Sequence, residues 1–376
     1  MTTKESNVGF IIHPLSVVQL IDAFSLLYLP RYCKFLFEKI KNKIPLYYIK
    51  NSFMRFPVHK IMEHIEITSS MGAKVKLFFY MLPFFPDQIV SARENIILDK
   101  IYKCVKLAEK DKVEIIALGA FTSIVGEEGS LISRKTNLAV TSGNCFTAAL
   151  CIKGMLKAAE YLGIMIENSS VLVVGAGGDI GSICAKVFSK KCKKLFLKFR
   201  NQEKSKELIS DIRRKAKAEV FITEDIKIDI ERADLILTAT SSVVPLFELS
   251  DLHKKTIVCD VSLPFNIKRD LKSMRNDVFV FDGGRAKLPF YDKIDNYKWK
   301  VFFPNNSIYG CLAEAIILGF EKRIENYSIG RGKITEDKVE EISLLASRHG
   351  INLASFSFGS KFYSENELEV FKSNFS

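Results

Sequence analysis

The sequence predicts an α/β protein, a doubly wound parallel sheet with a separate α/β domain before it and helices after it. Three observations predict this. The stretch VLVVGAGGDIG, Val171 to Gly181, runs from four apolar residues into glycines at 175, 177, 178 and 181. Short apolar runs follow at Lys194–Phe199, Glu219–Thr223, Leu235–Thr238, Thr256–Val261 and Asp277–Phe281, parted by helix-length or loop segments. That alternation is the pattern of a parallel sheet with helices on its faces. The length of 376 residues exceeds one typical domain and suits two.

A buried strand, a tight glycine turn and a helix N-terminus together receive a pyrophosphate. Glycines let the backbone approach the anion, and unpaired helix N–H groups face it. The spacing is GxxGxxG at 175, 178 and 181, and Ile180 stands where strict GxGxxG would put its third glycine. Gly175, Gly177, Gly178, Asp179, Ile180 and Gly181 are therefore the expected cradle of a Rossmann-type domain. The plainer reading is a glycine-rich turn at a strand end.

Before this stretch, Gly9–His13 reads as a short strand and Ser16–Tyr28 as a helix. Residues 31–70 are irregular, with weak strand signals at Leu46–Ile49 and His64–Thr68. Val75–Leu82 reads as a strand closed by Pro83 and Pro86. Ile89, Ala92, Ile96, Ile97, Ile101, Cys104, Val105 and Ala108 recur at helical spacing. Val113–Leu118 is a buried-type strand that enters the small, hydroxylic turn Gly119-Ala120-Phe121-Thr122-Ser123. Ile152, Met155, Ala159 and Leu162 mark a linking helix ended by Gly163. Near the other end, 305–324 and 335–349 read as helices. The second has Thr335 as its cap candidate, Glu336 and Asp337 in its first turn, and Gly350 after its end. Residues 352–376 read as a loosely held tail. The expected domains are 1–150, an α/β substrate domain; 151–300, the nucleotide domain; and 301–376, a C-terminal helical segment.

With 48% hydrophobic and 26% charged residues the chain is an ordinary globular protein. The net charge of +12 attracts polyanions, whether nucleic acid, an anionic membrane or an acidic protein. A compositional bias toward Lys, Asn, Ile and Phe gives the same surplus without any partner. The eight cysteines (33, 104, 145, 151, 184, 192, 259 and 311) include no CxxC pair, so neither a metal site nor a redox dithiol is expected. Their apolar settings suit reduced thiols in a cytoplasmic protein. The polar start MTTKESNVGF lacks a signal-peptide core. The apolar stretch Leu15–Phe37 is broken by Gln19, Asp22 and Arg31, and Leu77–Phe85 is too short to cross a bilayer. A soluble protein is expected, with aromatic-rich segments able to touch a membrane peripherally.

Three places could carry chemistry. An NAD-specific fold usually sets Asp or Glu after its second strand to hold the ribose 2′-hydroxyl. Here Arg200 and Asn201 stand nineteen and twenty residues after Gly181, with Lys198 and Lys204 nearby. A guanidinium suits a 2′-phosphate, which points to NADPH, although Lys190 to Lys206 is basic throughout and Glu203 intervenes. The later strand ends Thr238–Ser242 and Asp260–Pro264 supply small hydroxyl residues, with Thr240 and Ser241 expected beside a nicotinamide ribose. Finally, Cys311 follows Gly310 at the start of an apolar helix. Helix-terminal amides can lower a thiol's pKa and make it a nucleophile, whereas a packed structural cysteine is the plain alternative. Glu314, one turn on, could assist proton transfer or serve as a structural carboxylate.

Five segments, ALGAFTSIVGEE (117–128), TSGNCFTAAL (141–150), VLVVGAGGDIGS (171–182), LKFRN (197–201) and CLAEAIILGFE (311–321), resemble in order and spacing the cyanobacterial-type long-chain acyl-ACP reductases. So do GFIIHPLS near the start and SIGRGKITEDKVEEISLLASRHG near the end, so the resemblance covers roughly residues 9 to 350. It implies a substrate domain joined to a Rossmann domain, NADPH as cofactor, and reduction of a fatty acyl thioester to an aldehyde through an acyl-cysteine. The family's C-(F/L)-A-E-A-I motif places that nucleophile at Cys311, with Thr122, Ser123 and Asn144 as candidates for substrate and oxyanion contacts. The implied partners are an acidic acyl carrier protein, with Lys190–Lys206 as one docking face, or a CoA thioester, and a downstream aldehyde-processing enzyme. Nucleic acid is not expected. The chain departs from the family at Phe146, where the family has histidine, and at Gly177, where it often has threonine. Rival readings are another two-domain NADPH oxidoreductase, like glutamyl-tRNA reductase or shikimate dehydrogenase, and a non-catalytic nucleotide- or lipid-binding protein.

Overall fold

The computed structural model describes residues 5–21, 45–268, 275–294, 296–303, 306–359 and 361–375. The principal strands are β1 (Ser6–Ile12), β2 (His59–Thr68), β3 (Lys74–Met81), β4 (Ile115–Leu118), β5 (Ala139–Thr141), β6 (Ser170–Val174), β7 (Lys194–Lys198), β8 (Glu219–Ile222), β9 (Leu235–Thr238), β10 (Thr256–Asp260) and β11 (Val278–Asp282). The principal helices are α1 (Leu46–Met54), α2 (Glu94–Lys110), α3 (Asn144–Tyr161), α4 (Asp179–Ser189), α5 (Lys206–Lys215), α6 (Gly310–Phe320), α7 (Glu336–Arg348) and α8 (Glu365–Phe375). They divide into two compact units. The first takes residues up to 143 with 288–330 and 345–352, and the second takes 144–287, 331–344 and 353–376.

The first unit is built on a five-stranded sheet of order β2-β3-β1-β4-β5. All its neighbours are parallel except β2, which runs antiparallel to β3. Val8, Phe10 and Ile11 of β1 are fully buried, as are all four residues of β4. Burial on both faces explains why these strands read as continuous apolar runs rather than alternating ones. On α2 the buried stripe is Ile97, Ile101, Cys104, Val105 and Ala108, as the spacing predicts, while Ile96 faces solvent. Ile89 belongs instead to a separate short helix over Pro86–Ser91. The weak strand signal at Leu46–Ile49 proves to be the start of α1, a helix with no buried residue. With nothing buried, its four apolar residues mark no sheet face. The helix expected at Ser16–Tyr28 begins at residue 17, and its course beyond 21 lies outside the described residues. Within 305–324 a short strand, Ser307–Tyr309, precedes α6. Apart from Glu314 that helix is apolar all round, and it packs on β1, β3 and β4, so every residue from Leu312 to Phe320 is buried.

The second unit carries a six-stranded sheet of order β11-β10-β9-β6-β7-β8, parallel throughout. Numbered from β6 as first strand, this is the 3-2-1-4-5-6 order of dinucleotide-binding sheets. The topological switch falls between β6 and β9, where a crevice opens at the carboxyl ends. The five apolar runs read from the sequence are β7 to β11. The linking helix starts earlier than its apolar stripe suggested, at Asn144.

The expected loose tail is instead docked. Phe371 and Phe375 of α8 are buried, and the Phe371 ring lies 5.1 Å from Phe279 of β11 and 5.3 Å from Tyr363. The Tyr363 hydroxyl donates to the Val280 carbonyl at 2.7 Å. These aromatics share no single period along the chain, which is why the sequence pattern hid them. Phe371→Ala should cost about 3 kcal/mol, as for other buried rings, measured by urea unfolding. A loss below about 1 kcal/mol would mean that this ring is not part of the core.

Candidate active site

In the second unit, the turn after β6 is shaped by close backbone approach. Gly175 has φ +89°, and a Cβ there would lie 2.2 Å from the Ala239 carbonyl oxygen. One at Gly181 would lie 2.2 Å from the Gly175 oxygen, whereas at Gly178 the nearest atom is 3.5 Å away. Two glycines therefore let β6, α4 and the end of β9 close together, and Gly178 leaves room beside the helix start. No side chain caps α4, so its first turn is a ready anion site. Open backbone, an uncapped helix and the switch point fit a dinucleotide pyrophosphate.

Asp179 sits in that first turn, buried, and accepts from the Gly332 amide at 3.0 Å and from Asn144 Nδ2 at 3.2 Å. Burial pushes its carboxyl up from the ordinary range, against those two bonds and the nearby Arg331 charge. Asn144, a substrate candidate, is thus tied to the glycine turn.

Arg200 Nη2 donates to Ser241 Oγ at 2.6 Å, and the guanidinium is exposed at the carboxyl edge of the sheet. Two of the candidate cofactor residues therefore meet, one after β7 and one after β9. Asn201 instead caps the next turn, its Oδ1 accepting from the Lys204 amide at 3.0 Å. Thr240 Oγ1 donates to Asn266 Oδ1 at 2.7 Å, and its amide donates to Ser262 Oγ at 3.0 Å. Beneath them Asp260, at 1% exposure, accepts from Thr238 Oγ1 at 2.7 Å and from the Asn266 and Ile267 amides at 2.8 and 3.1 Å. Asn266 was not singled out in the sequence. Its role depends on a loop returning to β10, which no local pattern reveals. In the Lys190–Lys206 run, Lys190 pairs with Glu336 at 2.7 Å and Lys206 with Glu203 at 2.5 Å, so part of its charge is already matched.

The thiol lies in the first unit. Cys311 is the second residue of α6 and is partly exposed, whereas the six other described cysteines are buried. Burial drives the thiols of Cys104 and Cys192 up to about 12, and raises Cys184 and Cys259 well above their ordinary value. Gly143, with φ +72°, presses on the nucleophile candidate: a Cβ there would stand 2.0 Å from Cys311 Cα. Desolvation raises the Cys311 pKa and the Glu314 charge adds to it, while backbone groups of Ala120, Leu312 and Cys311 itself favour the thiolate.

Glu314 is wholly buried, and its Oε1 accepts from Thr141 Oγ1 at 2.5 Å and Ser328 Oγ at 2.6 Å. Thr141 Oγ1 in turn accepts from the Gly143 amide at 3.1 Å. The carboxylate so fixes the end of β5 against the thiol helix. The hydroxyls of Thr122 and Ser123 donate within their own turn, to the Gly119 and Ala120 carbonyls at 2.8 and 2.7 Å. Thr141 and Ser328 were missed in the sequence, being 173 and 14 positions from Glu314. Among the described residues, no group of three or more His, Cys, Asp or Glu side chains is placed to hold a metal, and no helix is long and apolar enough to cross a membrane.

Residues 157–282 match the family Shikimate / quinate 5-dehydrogenase. The aminotransferase PigE of Serratia sp. (strain ATCC 39006) is 29% identical over 91% of this chain, which spans 39% of PigE's length. The long-chain acyl-[acyl-carrier-protein] reductase of Synechococcus elongatus is also 29% identical, over 77% of this chain and 86% of its own. Glutamyl-tRNA reductase of Prochlorococcus marinus (strain MIT 9215) is 27% identical over 48% of this chain and 43% of its own. With its fold, these similarities make the chain a relative of NADPH-dependent oxidoreductases of the Rossmann type.

Glu314→Gln keeps an oxygen to accept the two hydroxyl bonds and removes the charge that opposes the thiolate. The thiol pKa should fall, and alkylation of Cys311 at pH 7.5 should run about threefold faster, read by peptide mass spectrometry. An unchanged rate would mean that the Glu314 carboxyl carries no charge against the sulfur.

Proposed function

We propose that the protein reduces a long-chain fatty acyl thioester to the aldehyde with NADPH, through an acyl-Cys311 intermediate. One observation carries the reading. Among the described cysteines Cys311 alone is partly exposed, and it stands in the first turn of α6, whose start no side chain caps. The similarity to an acyl-[acyl-carrier-protein] reductase over 86% of that enzyme's length supports the choice of substrate.

In the first half-reaction the Cys311 thiolate attacks the thioester carbonyl. A C–S bond forms to Cys311, the carrier's C–S bond breaks, and the carrier thiol departs with the proton that Cys311 gave up. Exchange of one thioester for another is nearly neutral in energy, so the acyl group stays activated on the enzyme. Amides at the start of α6 are the donors best suited to the developing oxyanion. In this reading the 175–181 turn holds the pyrophosphate, Arg200 and Ser241 hold the 2′-phosphate, and Thr240 lies by the nicotinamide ribose. NADPH, when bound, supplies the hydride for the second half-reaction. The acyl carbon becomes a thiohemiacetal on Cys311, which takes up a proton and collapses to aldehyde and free thiol. Glu314 serves this chemistry by holding Thr141, Ser328 and the Gly143 backbone in place. The +12 charge suits an acidic carrier protein as the acyl donor.

Incubation with a long-chain acyl carrier protein in the absence of NADPH should add one acyl mass to the intact protein, and Cys311→Ser should lose the adduct. No adduct with any acyl thioester would sink the reading. The cofactor side is tested separately by binding: Arg200→Glu should weaken NADPH roughly tenfold or more while leaving NADH nearly unchanged, followed by fluorescence titration. An unaltered preference would remove Arg200 from the 2′-phosphate site.

A further inference from the structure

Asn266, in the second unit, is wholly buried and stands in the loop after β10. Its side-chain oxygen receives two hydroxyls: Thr240 Oγ1 donates at 2.7 Å and Ser262 Oγ at 2.9 Å. Each hydroxyl already accepts from a backbone amide, Thr240 Oγ1 from Ser242 at 3.1 Å and Ser262 Oγ from Thr240 at 3.0 Å. The one proton that each hydroxyl has to give therefore goes to Asn266. That fixes which way round the amide lies, because turned over it would meet both protons with an NH2 group, which cannot accept. Among the described residues Nδ2 has no hydrogen-bond partner, so the oxygen is the atom through which this side chain acts.

The main chain of Asn266 holds the same loop by its other end. Its carbonyl accepts from the Leu246 amide at 2.6 Å, and the residues that follow, Phe247 and Ile267, form a parallel bridge. Residues 241–245 are thus a short loop tied at its start through Thr240 and at its finish through Leu246, both to one residue. Asn266 is itself anchored by Asp260, whose Oδ2 accepts from its amide at 2.8 Å. What the loop carries is Ser241, and Arg200 Nη2 donates to that hydroxyl at 2.6 Å. From Asn266 to the guanidinium the path is one hydrogen bond, one peptide link and a second hydrogen bond. Inside the loop Ser242 bonds to Val244, whose side chain is 60% exposed. Those bonds shape the tip and leave the distance from Ser241 to Arg200 to be set at the loop's ends.

We infer that Asn266 is a positioning residue for the cofactor's 2′-phosphate: its side-chain oxygen, through Thr240, sets the place where Ser241 meets Arg200, and so sets the preference for NADPH over NADH. An exposed arginine loses rotamer freedom when it clamps a phosphate, and a partner that holds it beforehand reduces that loss. NADH presents no phosphate there and gains nothing from the arrangement. The inference rests on reading Arg200 and Ser241 as the 2′-phosphate site.

The test is binding of NADPH and of NADH to the full-length protein by fluorescence titration, with the ratio of the two dissociation constants as the readout. A general loosening of the crevice weakens both cofactors alike and leaves the ratio unchanged. Asn266→Ala removes the accepting oxygen but keeps the main-chain bonds to Leu246 and Asp260, and should reduce the preference for NADPH roughly fivefold. Asn266→Asp keeps an oxygen for both hydroxyls, ionised or protonated. It should retain the wild-type preference, even though a second buried carboxyl beside Asp260 lowers its melting temperature. Thr240→Val cuts the same hydrogen bond from its other end, serves if Asn266→Ala does not fold, and should lose as much. Asn266→Ala combined with Ser241→Ala should lose no more than Ser241→Ala alone. A folded Asn266→Ala or Thr240→Val protein with the wild-type preference overturns the inference, as does a folded Asp variant no better than Ala. An unaltered preference in Arg200→Glu overturns the 2′-phosphate reading and this inference with it; a preference that depends on Arg200 but not on Asn266 overturns this inference alone.

Discussion

A residue with a side chain cannot stand at position 143. Its first carbon would overlap the backbone of Cys311 at 2.0 Å, and the backbone there is left-handed as well. The first unit depends on that contact, because it brings the end of β5 directly onto the thiol helix. Once the two backbones touch, Thr141 and Ser328 are close enough to share one buried oxygen of Glu314. A carboxylate at 0% exposure is tolerated only when its hydrogen bonds are met, and here hydroxyls meet them. The polar network and the steric contact each require the other.

The second unit uses the same device for a different end. Gly175 and Gly181 permit contacts of backbone on backbone, and what they leave open is a helix start pointing outward at the carboxyl edge of a parallel sheet. Below that edge Asp260 collects one hydroxyl and several loop amides, so the loop after β10 is pinned where Thr240 and Asn266 meet. In both units a buried carboxylate organises a loop, and glycine provides the clearance.

Much of the second unit was legible because its information is local. A parallel strand covered on both faces must be a continuous apolar run, and a tight turn into a helix must carry glycine, so β6 to β11 and the 175–181 turn could be read in order. The place of Arg200 just after β7 was legible too, since its distance from the glycines is fixed by one strand and one helix. The partners of Glu314 were not, since Thr141 is an unremarkable residue until the sheet places it. His13 is one of only five histidines, at the end of an apolar strand and followed by proline. Those signals mark it as unusual without saying that it would meet Phe121, 108 positions away. The docking of α8 was hidden for a related reason: aromatic residues that pack on a sheet through several short elements keep no common period.

The first unit is discontinuous, and this bears on how the chain matures. His13, Phe121 and Gly143 precede the second unit in sequence, whereas Cys311, Glu314 and Ser328 follow most of it. A growing chain can complete the sheet of the second unit while the first still lacks α6, the helix that covers β1, β3 and β4. Until α6 arrives, those strands expose apolar surface and lack Cys311. A nascent product that ends before α6 therefore has the complete second sheet while β1, β3 and β4 stay uncovered. Contacts of such long sequence separation also slow folding.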